Sequence, residues 1–299
     1  MYRAGDARFP DDTYILCCRE AADILYRPHI AGRELQDRME RMADVFVDAA
    51  WRVALKGRPA SSVVESVLLT GGLYYQLNSG FKRKFGIALP QCFIGIKRQR
   101  VEGTEGGFIA VATYENFESL PDGANVIIGD MVATGATMQK SVYHLLDALH
   151  ERHYGLKNIV ICSLACSVTG AEIIREAAEK VSAEFPRARV SLIVAEELFH
   201  LMPDGTDMRF LHPEAVMPDE TRERILRNYG GYLGREMKCA VFDWGTRCKN
   251  PVAHYREFLE FAHKFTPRAR AAGEKEAVAV MRGMEAGTRA AMAGLRKRL

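Results

Sequence analysis

Apolar and polar positions along the chain alternate in two rhythms. Between residues 12 and 57, apolar residues recur at helical spacing: Tyr14, Ile15, Ala21, Ile24, Leu25, then Leu35, Met39, Met42, Ala43, Phe46, Val47, Ala50 and Val53. This spacing predicts two helices, closed by Gly57 and Pro59. Val63–Leu69 is a short β-branched and leucine run, a candidate buried strand that ends in Thr70-Gly71-Gly72; a helical stretch runs from Leu73 to about Lys84. Gln91–Lys97 and Phe108–Thr113 predict two more strands. The segment 98–107 between them holds three glycines, four charges and little that could pack, which predicts an exposed, mobile loop. A strand at 125–129, a helix from Met138 to about His153, a strand at 158–165, a helix at 170–184 and a strand at 189–195 follow. Strands alternating with helices predict an α/β fold, a mostly parallel sheet with helices on both faces.

From Glu196 to Arg235 the chain becomes rich in His, Pro, Asp and Met, with one helix starting near Asp219 and stopping at Gly230-Gly231; this reads as an insertion or lid. Cys239–Phe242 predicts a last short strand and Val252–Lys264 a helix. The expected organisation is a helical N-terminal region (1–60) packed on a core (61–265) that carries the insertion 196–235, followed by a helical tail (266–299). No internal repeat and no low-complexity linker interrupts it.

The richest segment for chemistry is Asn125-Val-Ile-Ile-Gly-Asp-Met-Val-Ala-Thr-Gly-Ala-Thr-Met138. A buried strand ends in an acid, Asp130. A turn of small residues follows, Ala133-Thr134-Gly135-Ala136-Thr137, and then a helix begins. A strand, a tight Gly/Thr loop and a helix N-terminus form a cradle for phosphate, because loop amides and the helix dipole favour an anion there. The segment has neither the Gly-Lys-Ser/Thr of a Walker loop nor a G-x-G-x-x-G. An ordinary strand-turn-helix corner would show the same pattern.

Bulk properties narrow the picture a little. The 299 residues are 48% apolar and 26% charged, as in a globular protein, and the net charge of +3 does not itself suggest nucleic acid. Seven cysteines without a CxxC pair read as thiols in a reducing compartment. No secretory leader is visible, and no run approaches the ~18 apolar residues of a membrane span, so a cytoplasmic protein with no membrane partner is expected. From Pro267 onward, eight Lys/Arg face three Glu, which suits a helix packed on the body or on another subunit of a homo-oligomer, a dimer by expectation. His200, Asp204, Asp207 and His212 match no known metal-ligand spacing and read as an irregular polar loop.

The pattern of apolar strand, acid and Ala-Thr-Gly-x-Thr resembles the phosphoribosyl pyrophosphate (PRPP) loop of type I phosphoribosyltransferases. The likeness extends over roughly 63–170 and again over 239–255, where the chain is most similar to uracil phosphoribosyltransferases. Leu68-Leu69-Thr70-Gly71-Gly72-Leu73 resembles that family's pyrophosphate loop, with Thr70 in the place of an arginine. Phe93-Ile94-Gly95-Ile96-Lys97-Arg98 resembles the strand leading into the family's mobile catalytic loop. Arg98 falls on the family's arginine, and Arg100 and Thr104 lie farther along. Asp243-Trp244-Gly245-Thr246-Arg247 occupies the base-recognition segment, where the family has Asp-Ala-Gly-Asp-Arg. Trp244 could stack on a flat heterocycle, block the space for uracil, or anchor a strand in the core. Type I enzymes carry acids five and four residues before the loop threonine. Here those places hold Gly129 and Asp130, so only the nearer acid is present.

The resemblance implies transfer of phosphoribose from PRPP to a nucleobase or related heterocycle, uracil by default, with release of pyrophosphate. It implies that Ala133, Thr134, Gly135, Ala136 and Thr137 hold the 5-phosphate, and that Thr70, Gly71 and Gly72 meet the pyrophosphate. Asp130, Arg98 and Arg100 would be catalytic, and Asp243, Trp244, Gly245 and Arg247 would meet the base. Mg²⁺ would be carried by PRPP and water, with no direct protein ligand. Two other readings keep the same fold: a regulator that senses PRPP without turnover, or an enzyme of a specialised pathway whose acceptor pocket is built by 196–235.

Overall fold

A computed structural model describes residues 1–69, 71–100, 108–205, 207–237 and 245–296. In chain order its elements begin with β1 (Tyr2–Arg3), β2 (Asp12–Leu16), α1 (Arg19–Tyr26), α2 (Arg33–Ala50), β3 (Val63–Leu69), α3 (Leu77–Phe85), β4 (Gln91–Arg100), β5 (Phe108–Asn116) and β6 (Ala124–Gly129). Then come α4 (Ala136–Glu151), β7 (Leu156–Ser163), β8 (Cys166–Ser167), α5 (Val168–Glu184), β9 (Arg189–Ala195), β10 (Leu198–Leu201) and β11 (Met208–Arg209). The last helices are α6 (Asp219–Glu236), α7 (Pro251–Ala271) and α8 (Lys275–Arg296).

One eight-stranded sheet, in the order β1-β2-β9-β7-β6-β3-β4-β5, carries the fold. Its pairs from β2 to β4 are all parallel, and β1 and β5 close the two edges antiparallel. The chain is therefore α/β with a mostly parallel sheet, as its rhythm predicts. The central strands are buried on both faces, so they read as unbroken apolar runs. Along β6, Val126 and Ile128 enter one apolar cluster with α4 and α5, while Ile127 enters the other with α1, α2 and α6. A small sheet, β11-β10-β8, stands at one end.

Residues 12–16 correct the first predicted helix. They form β2, which lies parallel to β9 with Asp12 opposite Ser191 and Leu16 opposite Ala195. Thr13 and Ile15 are buried and Tyr14 is half-buried, a period of two that the longer helical window absorbed. The N-terminal segment thus gives the main sheet an edge as well as two helices. Other boundaries move less. The stretch after Gly72 is a 3₁₀ turn, Gly71–Tyr75, before α3 begins. Helix α6 runs on past Gly230, which bends it with φ +69°. Helix α7 carries Pro267 within it and ends at Ala271. Arg98 and Arg100 belong to β4 by backbone, whereas 101–107 and the expected strand at 239–242 lie outside the described residues.

The strand order reverses between β3 and β6. From β3 the chain moves outward to β4, and when it returns it enters beside β3 on the other side and proceeds to β7 and β9. The connections leaving β3 and β6 diverge, and a crevice opens at the carboxyl ends of these neighbours, the usual ligand position in open α/β sheets.

Candidate functional site

Both Gly-bearing loops singled out from sequence leave the sheet at this crevice. The first follows β3 and the second follows β6. They touch: a Cβ added to Gly71 would collide with the carboxylate oxygen Oδ1 of Asp130. Gly71 is thus the residue that lets the half-buried acid lie across the mouth of the first loop. Thr70 itself lies outside the described residues.

The second loop is braced from behind. Asp130 N–H donates to the carbonyl of Cys162 at 3.2 Å, Val132 N–H to Ala165 at 2.9 Å, and Ser167 N–H to Val132 at 2.9 Å. The Ser167 hydroxyl donates to the Ala133 carbonyl and accepts the Gly170 N–H at 2.8 Å, which also caps α5. These bonds tie the Val132 and Ala133 carbonyls back toward α5. Gly135 occupies the N-cap of α4 at φ +80°, and a Cβ there would lie 2.7 Å from Cβ of Ile173. Having no side chain, Gly135 offers no cap to the first amides of α4. Uncapped amides at the start of a 16-residue helix, beside the half-buried Thr134 and Thr137, form a cradle for an anion. The insertion reaches this cradle too: a Cβ on Gly205, in the turn between β10 and β11, would sit 3.6 Å from Cγ2 of Thr134.

Gly129, where the resemblance leads one to expect an acid, has a physical explanation. The ring of Tyr75 fills the space, and a Cβ on Gly129 would lie 2.6 Å from its Cγ. Tyr75 is only 1% exposed, and its hydroxyl accepts the Leu164 N–H at 2.8 Å. Burial first, and the nearby Asp130 charge second, push its phenol well above the ordinary value, so Tyr75 is neutral and unsuited to proton transfer. Nothing in a single sequence marks this role. Ser167 carries a signal that could have been read, since it directly precedes a helical run.

Of the segment 243–247, which the resemblance assigns to the base, residues 245–247 are described. Asp243 and Trp244 lie outside the described residues, as do the side chains of Arg98 and Arg100, and Gly245 is described by its backbone. Residues 245–249 form a π-helical turn next to the first loop, with Lys249 Nζ 5.4 Å from the ring centre of Tyr74. Arg247 is placed differently from what its motif implies. It is 1% exposed, and its Nε, Nη1 and Nη2 donate to the carbonyls of Ile30, Ile24 and Arg27 at 2.8, 2.7 and 2.9 Å. These are carbonyls at and just beyond the end of α1, which have no helical partner, so the guanidinium plugs that helix end.

A buried acidic pair at the end of β9 also escaped the sequence reading. Glu196 has φ +67° and its Oε1 accepts the Cys18 N–H at 2.8 Å; its carboxylate pairs with Arg224. Glu197 accepts the Tyr26 hydroxyl at 2.8 Å, while its Oε2 has no hydrogen-bond partner. Burial raises the Glu197 pKa well above the ordinary carboxylate value, against the lowering effects of the Tyr26 bond and Arg222.

Among the described residues no helix is long and apolar enough to cross a membrane. No protein-family model and no curated protein matches the chain. Among solved structures, the chain is similar to a purine phosphoribosyltransferase from Pyrococcus horikoshii, 16% identical over 64% of this chain and 93% of that one, with a TM-score of 0.31. It is also similar to a hypoxanthine phosphoribosyltransferase from Trypanosoma cruzi in complex with the product IMP, 17% identical over 47% of this chain and 72% of that one, with a TM-score of 0.30. A hypoxanthine-guanine phosphoribosyltransferase from L. donovani gives 12% identity over 50% of this chain and 78% of that one, with a TM-score of 0.32. These superpositions are loose, and the α/β class rests on the strand order itself.

Proposed function

We propose that the chain is a phosphoribosyltransferase, moving the phosphoribosyl group of PRPP to a ring nitrogen of a heterocycle and releasing pyrophosphate. The observation that carries this reading is the contact between the two loops. A helix N-terminus without a side-chain cap and the carboxylate of Asp130 share one crevice, and the acid lies against the glycine of the neighbouring loop. The 5-phosphate takes the amides at the start of α4 and the hydroxyls of Thr134 and Thr137. Asp130 accepts the ribose hydroxyls, and Thr70, Gly71 and Gly72 offer backbone to the pyrophosphate. Arg98 and Arg100, at the end of β4, stabilise the negative charge that grows on the leaving group; losing such a charge partner typically costs about 3 kcal/mol of barrier.

Among the described residues, Asp130 is the carboxylate beside both loops, which fits Mg²⁺ carried on PRPP oxygens and water. When bound, the ion would neutralise part of the pyrophosphate charge. Because Arg247 is engaged with three carbonyls, base recognition falls to Asp243, Trp244 and the backbone beside them. Uracil is the default acceptor by resemblance of that segment. A screen of free purine and pyrimidine bases, read by pyrophosphate release, tests turnover; calorimetry with PRPP and Mg²⁺ tests the shared site. If Thr134→Val leaves PRPP affinity unchanged, the phosphate does not sit in this loop.

One observation favours a second reading, a PRPP sensor without turnover. Tyr75 occupies the space an acid at 129 would need, so the second acid is excluded by packing. PRPP binding without turnover on any base supports the sensor.

A further inference from the structure

A second constellation lies outside the crevice, in the small sheet. His200 stands on β10. His212 and Glu214 belong to a tight turn in which Ala215 N–H donates to the His212 carbonyl at 3.0 Å. Pro213 occupies the second place of this turn, which suits its fixed φ. The turn sends the chain back to Val216, which pairs with Leu198, so His212 and Glu214 fold over His200. The imidazoles of His200 and His212 lie face to face, centroids 3.4 Å apart and planes 13° apart. Oε2 of Glu214 lies 2.9 Å from Nδ1 of His200. One ligand-capable atom from each of the three residues lies within 4.8 Å of the other two.

We infer that His200, His212 and Glu214 form a binding site for a divalent transition-metal ion of the zinc class. Two imidazoles and one carboxylate are the donor set such ions select, whereas Mg²⁺ and Ca²⁺ prefer oxygen alone. Two ligand atoms on a tetrahedral ion with bonds of ~2.1 Å stand about 3.4 Å apart. The 2.9 Å separation of His200 and Glu214 is close to that, so an ion replaces the proton they share with little movement. The outer torsion of histidine is soft, and both rings can turn a nitrogen toward one point. The His212 Nδ1 bond to the Glu214 N–H is long, 3.2 Å, and yields easily. The Glu214 side chain is 67% exposed, so the site opens to solvent. Three protein ligands leave a fourth position to water. Asp204 and Asp207 are engaged elsewhere: Asp204 accepts the Asp207 N–H at 2.8 Å, and Asp207 pairs with Arg209 at 2.8 Å. The bound ion would pin the 212–215 turn to β10, whose hairpin turn faces Thr134. The site stands whether or not the crevice takes PRPP.

The test is titration of the metal-free, full-length chain with Zn²⁺ by calorimetry and with Co²⁺ by visible absorption. The expected result is one ion per chain and a Co²⁺ spectrum without a thiolate charge-transfer band. His200→Ala and His212→Ala should each weaken binding by about 100-fold and Glu214→Gln by about tenfold. Cys17→Ser with Cys18→Ser should leave it unchanged. Affinity in either histidine variant unchanged from that of the intact chain, absence of binding to the intact chain, or loss of binding in the cysteine variant overturns the site. X-ray absorption on the Zn²⁺-loaded intact chain decides even if a variant fails to fold: imidazole scattering without sulfur supports the assignment, and sulfur overturns it.

Discussion

Arg247 carries two different demands, one from its motif and one from its contacts. Its motif places it beside a base, but the fold buries it among three carbonyls. Arg247→Ala would take one donor from each of these carbonyls, of which Arg27 keeps the Ile30 N–H at 3.1 Å, and would leave a void behind, so a loss of about 3 kcal/mol is expected by urea denaturation. A variant with normal stability but a raised KM for the base would return Arg247 to the binding site. Glu197 makes a prediction of a different kind. Its pKa is raised on folding, so the native state holds a proton that the unfolded chain releases at lower pH. Its stabilising contribution is therefore complete below about pH 4.5, the unfolded value, and declines as pH rises toward the folded value. Glu197→Gln keeps the neutral form at every pH. The difference in stability between variant and parent, measured by denaturation from pH 5 to pH 8, should grow in the variant's favour with rising pH. A constant difference across that range would mean that Glu197 is charged in the fold.

At the scale of elements, the proposed phosphate cradle depends on the start of α4 and on what braces it. Gly135→Ala would force a Cβ toward Ile173 at a positive φ. It should cost about 2 kcal/mol of stability and abolish PRPP binding in calorimetry. Ser167→Ala removes the cap of α5 and frees the Ala133 carbonyl, a loss of about 1 kcal/mol. If the brace positions the amides, PRPP affinity also falls in that variant; unchanged affinity would make Ser167 a helix cap alone. These elements were legible because strand ends and helix starts are written in local chemistry: β-branched runs, a Gly/Thr turn, then apolar residues at helical spacing. The strand at 12–16 was not, because five residues of period two were swallowed by a longer window of helical spacing. Nor was the run of α7 through Pro267: the proline itself is exposed, and the burial of Phe265 and Ala269 on either side holds the helix together across it. The contacts of Arg247 and Tyr75 were invisible for a further reason: both bridge segments far apart in the chain, and one sequence carries no record of such pairs.

For the molecule as a whole, the reversal of strand order between β3 and β6 places the two loops side by side, and the β10–β11 hairpin touches the second of them. A ligand that joins both loops should stabilise the whole fold. At a hundredfold excess over Kd, Mg²⁺-PRPP should add about 2.7 kcal/mol, a rise of several degrees in Tm. Tyr75 decides how far this crevice departs from a site with two acids. Gly129→Asp alone drives a charged side chain into the Tyr75 ring and should cost 3 kcal/mol or so. Tyr75→Ala alone opens a cavity and loses the bond to Leu164 N–H, with a comparable cost. In the double variant the aspartate enters the space the ring has left, so the two losses should fall short of additive by 1 kcal/mol or more, as expected for residues in contact. The same variant would set a second carboxylate beside Asp130, and under the proposed function its PRPP affinity should exceed that of Tyr75→Ala. If Gly129→Asp proves stable with Tyr75 intact, the ring yields to a neighbour, and packing is not what keeps the second acid out.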